Sequence, residues 1–242
     1  MKFRDLTIKP ISDKTALVIA CDVSAGIGEK PDDLVHVTAD VTAAFALRVP
    51  LMELLCFGAT PISVVDTVGN EMTPTGENMI AGLKQELRRG GLSDISLNGS
   101  TEDNMPTQTT SIGVTVIGIA TRRVDDLFQK QPMVIYQLGR PLVGYAVKQH
   151  FNDLFSYNLI NELRSDSAVI DMLPVGSKGI AFEINQLAKT HQLEIVDSSV
   201  METEEMAKSA GPATVALIGV KPEKRRVFER HFPQAHYLLS LN

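Results

Sequence analysis

The stretch VPLMELLCFGATPISVVD, residues 49–66, sets one acid inside an apolar, helix-like run and a second at the end of a β-branched run. A Gly-Ala-Thr-Pro break separates the two. Glu53 precedes Gly58 by five positions, and Asp66 follows Pro61 by five. A carboxylate among apolar neighbours is expensive to bury unless it is paired or bound to a metal. The alternative for Glu53 is an acid on the exposed stripe of an amphipathic helix. Upstream, TALVIAC reads as a short strand running into Asp22 and a Gly26-Ile27-Gly28-Glu29-Lys30 turn. Downstream, Gly99-Ser100-Thr101-Glu102-Asp103-Asn104 offers hydroxyls, backbone N–H groups and acids in one polar segment. Acids at strand ends, glycine turns and a lysine together suit metal-bound polyphosphate. Singly, each has a plainer explanation: Asp22 as a turn-former, the glycines as turn residues and the acidic segment as a hairpin loop.

The 242 residues give ample length for a core, in one large domain or two small ones. With 44% hydrophobic and 21% charged residues the composition is that of an ordinary globular protein. Net charge is −6, and no basic stripe with interleaved aromatics occurs, which argues against nucleic acid as a partner. The lysines and arginines of 221–230 alternate with Glu223 and Glu229 and read as a solvated helix face. Cys21 and Cys56 lie in apolar runs without metal-ligand spacing and are expected to be buried free thiols in a reducing cytoplasm. The polar N-terminus is unlike a signal peptide, and no apolar run reaches membrane-spanning length, so no membrane association and a cytoplasmic location are expected.

Helix is expected over 34–57, ended or kinked by Pro50 and capped by Gly58, followed by a strand over 61–66. Met79, Ile80, Leu83 and Leu87 give a helical stripe within 76–90. Strands are expected at 94–98, 111–120 and 132–140, in LEIVDS (193–198), in TVALIGV and in HYLLSL, with helices to Arg164, over 180–192, in METEEMAKSAG (201–211) and over 222–232. Strands alternate with helices, an α/β or α+β pattern. The charged stretch 121–131 marks a boundary between domains of 1–125 and 126–242. Gly176-Ser177-Lys178-Gly179 precedes a helix but lacks Walker A spacing. The five histidines show no ligand spacing, and no nucleophile elbow is present.

The spacing of Glu53, Gly58-Ala59, Pro61 and Asp66 resembles the signature of the aminoimidazole ribonucleotide (AIR) synthetase superfamily, which includes thiamine-monophosphate kinase and selenophosphate synthetase. Cys21-Asp22 through Lys30 resembles its strand-Asp-glycine-Lys element, and 98–102 before the strand at 111–120 its glycine-acid-threonine loop. Residues 169–195 resemble the start of the helix in its second domain. Glu53 stands where the family has Asp, Pro50 interrupts the helix, and Pro174-Val175-Gly176-Ser177-Lys178-Gly179 replaces an acidic loop. The compact form with its STEDNMPT loop is most similar to the α-ribazole kinase branch.

The resemblance implies a two-domain fold whose N-terminal mixed sheets join two copies into a shared barrel, a C-terminal α+β domain, and ATP with Mg²⁺ as cofactors. It implies a kinase phosphorylating the 5′-hydroxyl of α-ribazole for assembly of the cobalamin lower ligand. Another kinase or synthetase of the superfamily, or a non-catalytic nucleotide-binding protein, are the alternatives. On this reading Asp22, Glu53, Asp66 and Glu102 hold metal. Gly26, Gly28, Lys30, Asp66, Gly99, Ser100 and Thr101 contact the nucleotide, and Asp22 positions the attacking hydroxyl.

Overall fold

A computed structural model describes residues 1–121, 124–128 and 130–242. The expected boundary stretch 121–131 therefore contains Arg122, Arg123 and Gln129, which lie outside the described residues. The chain divides into two compact units, one of Met1–Leu54 with Ala59–Ala120, the other of Leu55–Gly58 with Thr121–Asn242.

The first unit is built on a six-stranded sheet. In chain order its elements are β1 (Lys2–Phe3), β2 (Leu6–Pro10), β3 (Ala16–Ala25), the short β4 (Ile27–Gly28) and β5 (Val35–His36), α1 (Ala39–Phe57), β6 (Thr60–Val68), α2 (Glu77–Arg89), β7 (Ser96–Thr101) and β8 (Ser111–Ala120). The sheet order is β1-β2-β3-β8-β6-β7, with β4 and β5 pairing apart from it. Only β6 and β7 run parallel within the large sheet, because α2 carries the chain back between them. Along β8 the even positions from Ile112 to Ala120 are buried, while the odd ones are half-buried, the period-two signature of a sheet with one covered face. Helix α1 lies on the even face: a side chain on Gly118 would strike Leu54. Helix α2 approaches the start of α1 so closely that a Cβ on Gly82 would sit 2.1 Å from the Asp40 carbonyl oxygen.

Helix α1 corrects two expectations. It begins at Ala39 rather than 34, since Val35 and His36 pair with Ile27 and Gly28, and the Glu29 carboxylate accepts from the Ala39 N–H. It also runs on through Pro50 rather than ending there. An interior proline costs about 3 kcal/mol. Leu47, Leu51, Met52 and Leu54 are all fully buried, and at roughly 1.5–3 kcal/mol per large apolar side chain they outweigh that cost. The helix ends as expected: Gly58, at φ +92°, donates to Leu55 O, and Ala59 donates to Leu54 O, the paired bonds of a Schellman cap.

The second unit holds β9 (Met133–Gly139), α3 (Tyr145–Gln149), α4 (Tyr157–Ser165), β10 (Val169–Pro174), α5 (Gly179–His191), α6 (Glu204–Ala207), β11 (Val215–Val220), α7 (Arg225–His231) and β12 (His236–Leu241). Its antiparallel sheet is ordered β10-β11-β9-β12. Ile180, Ile184 and Leu187 of α5 pack on Met133, Ile135, Val215 and Leu217, all fully buried. Inside this unit Asp171 and His191, both buried, pair at 3.0 Å. LEIVDS is not a strand: Ile195 makes a single bridge to Leu241, and Val196 is exposed. METEEMAKSAG holds only the single turn of α6, after a tight turn at Ser199–Glu202. Cys56 is buried, but Cys21 is exposed, because odd positions of β3 point away from the α1-covered face. Among the described residues no helix is long and apolar enough to cross a membrane.

Candidate functional site

Asp22 and Asp66 do not end their strands. Strand β3 continues to Ala25 and β6 to Val68, so both acids lie within the sheet. Asp22 is paired with Val114 of β8 from one side, Asp66 with the same Val114 from the other, and Asp66 with Gly99 of β7 beyond. Paired residues share a face, so Asp22, Val114, Asp66 and Gly99 form one row across four strands on the side that α1 covers. Two strand spacings put the acidic Cα atoms ~10 Å apart. Gly99 makes the row possible: a Cβ there would fall 2.3 Å from the Asp66 carboxylate. Asp66 is 3% exposed. Burial pushes the carboxyls of both Asp22 and Asp66 up from the ordinary range, against a smaller opposing pull from backbone N–H groups. Neither carboxylate has a side-chain partner among the described residues.

The row lies near one end of the sheet, where β3, β6 and β7 finish and β8 begins. The start of α2 follows β6 at that end. Helix α1 runs back from the tight cap at Gly58, so its start lies there too. Helix N-termini carry a partial positive charge that favours anions, although here the Ala39 N–H is taken by Glu29, those of Val41 and Thr42 by the Thr38 carbonyl, and that of Glu77 by the turn before α2.

The loops at this end, 26–38, 69–76 and 102–110, are tied together by polar groups that the sequence did not single out. Asn70, fully buried, donates from Nδ2 to Thr107 Oγ1 (2.6 Å) and Thr109 O, and its Oδ1 accepts from Ser111 N–H. Asp33 accepts from the N–H of Lys30 and from both the N–H and hydroxyl of Thr110. Asp103 accepts from Met72 N–H and Thr101 Oγ1. The readable signal would have been Asn70 and Asp33 themselves, polar residues next to strands that must find partners once buried.

Several expected contacts are used otherwise. The Lys30 ammonium is paired with Glu71 at 2.7 Å. Burial alone would raise the Glu71 carboxyl, but bonds from Lys30, Thr75 and its own N–H, with the Lys30 charge, hold it at about 2. The Gly26 N–H donates to Thr110 O. Gly28 packs on Thr110, with no room for a side chain. Gly99, Ser100 and Thr101 belong to β7 rather than to a loop, and Ser100, opposite Thr67, faces away from the acidic row. Glu102 sits at the loop start, where its Oε1 accepts from Asn104 N–H.

Glu53 is not brought to the two aspartates. Its neighbour Leu54 lies over Gly118, four residues along β8 from Val114, or ~13 Å. The antiparallel course of α1 and β6 separates the two acids that the sequence spacing had linked. Among the described residues no cluster of three or more metal-ligating side chains is present. The donor set that does fit a hard divalent cation is therefore the carboxylate pair Asp22 and Asp66, with oxygens left over for water and phosphate.

No protein-family model matches the sequence, and no curated protein does. Solved structures do match. The structure described as AaThiL complexed with AMPPCP and TMP aligns with TM-score 0.69 at 12% identity, covering 98% of this chain and 84% of its own. Thiamine-monophosphate kinase from Stenotrophomonas maltophilia aligns with TM-score 0.62 at 12% identity, over 98% and 89%. The hydrogenase maturation protein HypE aligns with TM-score 0.62 at 12% identity, over 92% and 79%. At this identity the likeness speaks for architecture, and the chain has the AIR-synthetase-like fold.

Proposed function

We propose that the protein is an ATP-dependent phosphotransferase of the AIR-synthetase type acting on the hydroxyl of a small molecule, with the 5′-hydroxyl of α-ribazole as acceptor. The observation that carries this reading is the row Asp22–Val114–Asp66–Gly99: two unpaired, partly desolvated carboxylates beside two helix N-termini. The fold likeness to a structure complexed with AMPPCP supports it.

Phosphoryl transfer needs mainly positioning and charge neutralisation. Asp22 and Asp66 would hold Mg²⁺, which neutralises phosphate charge when bound. Thr101 and the positive ends of α1 and α2 would face the phosphates, with Glu102 at their margin. Asp22, the less buried of the two acids, would orient the attacking hydroxyl.

A homodimer is part of the proposal. The uncovered face of the six-stranded sheet exposes Cys21, Val23 (68%), Ile62 (41%) and Val65 (39%), an apolar surface suited to a second copy. The Lys30–Glu71 pair, which occupies the lysine of the glycine turn, favours one second reading, a nucleotide-binding protein without turnover. The test is ATP consumption by purified protein with α-ribazole, thiamine monophosphate and other nucleoside-like alcohols, the product identified by mass. Binding of Mg²⁺-ATP with no ADP from any acceptor would select the second reading.

A further inference from the structure

A cavity of about 420 Å³ lies within the second unit, where β9 ends. Its floor is apolar and fixed. Leu138, Leu142 and Phe155 are at most 8% exposed, and Leu154 and Leu159 complete the wall. Gly139, at φ +79°, lets the Phe155 ring and the Thr214 carbonyl close in: a Cβ would meet them at 3.0 and 2.3 Å. The Thr214 hydroxyl accepts from Leu142 N–H at 3.0 Å and pins the loop after β9 to the start of β11.

The rim is polar and its groups are not used up by the protein. Arg140 Nη2 donates to Asp153 Oδ2 at 2.9 Å and lies 2.6 Å from His150 Nδ1, which anchors the guanidinium at the opening. Its Nε and Nη1, and the side chains of Gln234 and His236 on the same rim, have no partner among the described residues. An apolar cavity of this size with a few convergent polar groups is the usual form of a small-molecule site.

The geometry points to a ligand site for a small amphipathic anion: an apolar ring seated on Leu138, Leu142 and Phe155, with a carboxylate or phosphate on Arg140. Arg140 makes anion recognition the natural polar contact, since a guanidinium binds carboxylate or phosphate through charge-assisted bonds. Asp153 takes up one nitrogen and leaves the others to the ligand. This site is built from residues of the second unit alone and does not depend on the phosphotransferase reading.

The test uses the full-length protein, followed by ¹H–¹⁵N NMR, titrated with naphthoate, naphthyl phosphate, neutral naphthalenemethanol and inorganic phosphate. Saturable shifts are expected at Leu138, Arg140, Leu142 and Phe155 with one or both naphthyl anions. The neutral compound and inorganic phosphate should each bind at least about tenfold more weakly, because a charge-assisted hydrogen bond and an apolar ring each contribute at least that factor. The tighter naphthyl anion identifies the carboxylate or the phosphate as the natural group. R140Q should weaken the anions by about tenfold or more with the fold unchanged, and L142W, which fills the cavity, should abolish binding of every naphthyl probe. Three outcomes would overturn the assignment: no saturable shifts at these residues with either naphthyl anion, anion binding unchanged in R140Q, or inorganic phosphate binding as tightly as naphthyl phosphate. If L142W proves unfolded, R140Q decides alone.

Discussion

Gly99→Ala should separate the acidic row from the stability of the sheet. A Cβ at position 99 lies 2.3 Å from the Asp66 carboxylate carbon and one of its oxygens, and 2.4 Å from the other. Ordinary contact begins near 3.4 Å. The carboxylate must therefore move by about 1 Å, and misplacement of that size at a reacting centre costs on the order of 10²-fold in rate. The displaced atoms are the end of a side chain, and β7 is an edge strand, so folding should change by about 1 kcal/mol or less, ~2–4 °C in Tm for a chain of this length. The assay is ADP release under saturating Mg²⁺-ATP and acceptor, beside calorimetric Mg²⁺-ATP affinity and a melting curve, with Asp66→Ala as comparator. A Gly99→Ala protein that melts normally and turns over within about threefold of the parent would refute a role for the Asp66 position.

Asp66→Asn should raise Tm at pH 7, because the folded state holds this carboxyl above its ordinary value and so favours the protonated form. The sign follows from linkage: the carboxyl is best tolerated below the unfolded value of about 3.9 and opposes folding once ionised, so the gain should vanish in melts run below about pH 4. Glu71→Gln should act oppositely. Its carboxyl is held at about 2, so its contribution is present above the unfolded range and lost as pH falls toward 2, and a chemical-denaturation series from pH 7 to 2 should show the variant and parent converging. Val23→Asp should give a monomer by analytical ultracentrifugation, since it puts a charge on the exposed apolar sheet face; an unchanged dimer would place the interface elsewhere. Leu217→Ala, in the core of the second unit and fully buried, should cost about 2–5 kcal/mol by urea denaturation.

Where packing agrees with local pattern, the sequence was legible. SIGVTVIGIA is strand β8 over the same ten residues, the stripe of Met79, Leu83 and Leu87 is the buried side of α2, and the helix ended by Gly58 is capped as its geometry requires. Pro50 misled because propensity is local and the burial that overrides it comes from the sheet beneath. The acids misled in a different way. An apolar run that stops at Asp22 or Asp66 looks finished, yet pairing with β8 and β7 carries both strands past the charge, and only the register shows that the two acids flank Val114. Glu53 has the right interval in sequence and the wrong place in space, because 1.5 Å per helical residue and 3.3 Å per strand residue cannot bring it level with Asp66. Lys30 likewise looked available for phosphate until the fold supplied Glu71 across the loop. The cavity beside Arg140 carried no sequence signal, since it is assembled from the end of β9, the loops at 140–142 and 153–155, α4, Thr214 just before β11, and the start of β12.

The most direct measurement is mass analysis of the products formed when purified protein is incubated with Mg²⁺-ATP and α-ribazole, run beside the Asp66→Asn protein. ADP and α-ribazole 5′-phosphate in equal amounts, both lost in the variant, are the expected result. Equal ADP from parent and variant, or none from either across the acceptor panel, would contradict the assignment of Asp22 and Asp66 as the centre of a phosphotransferase.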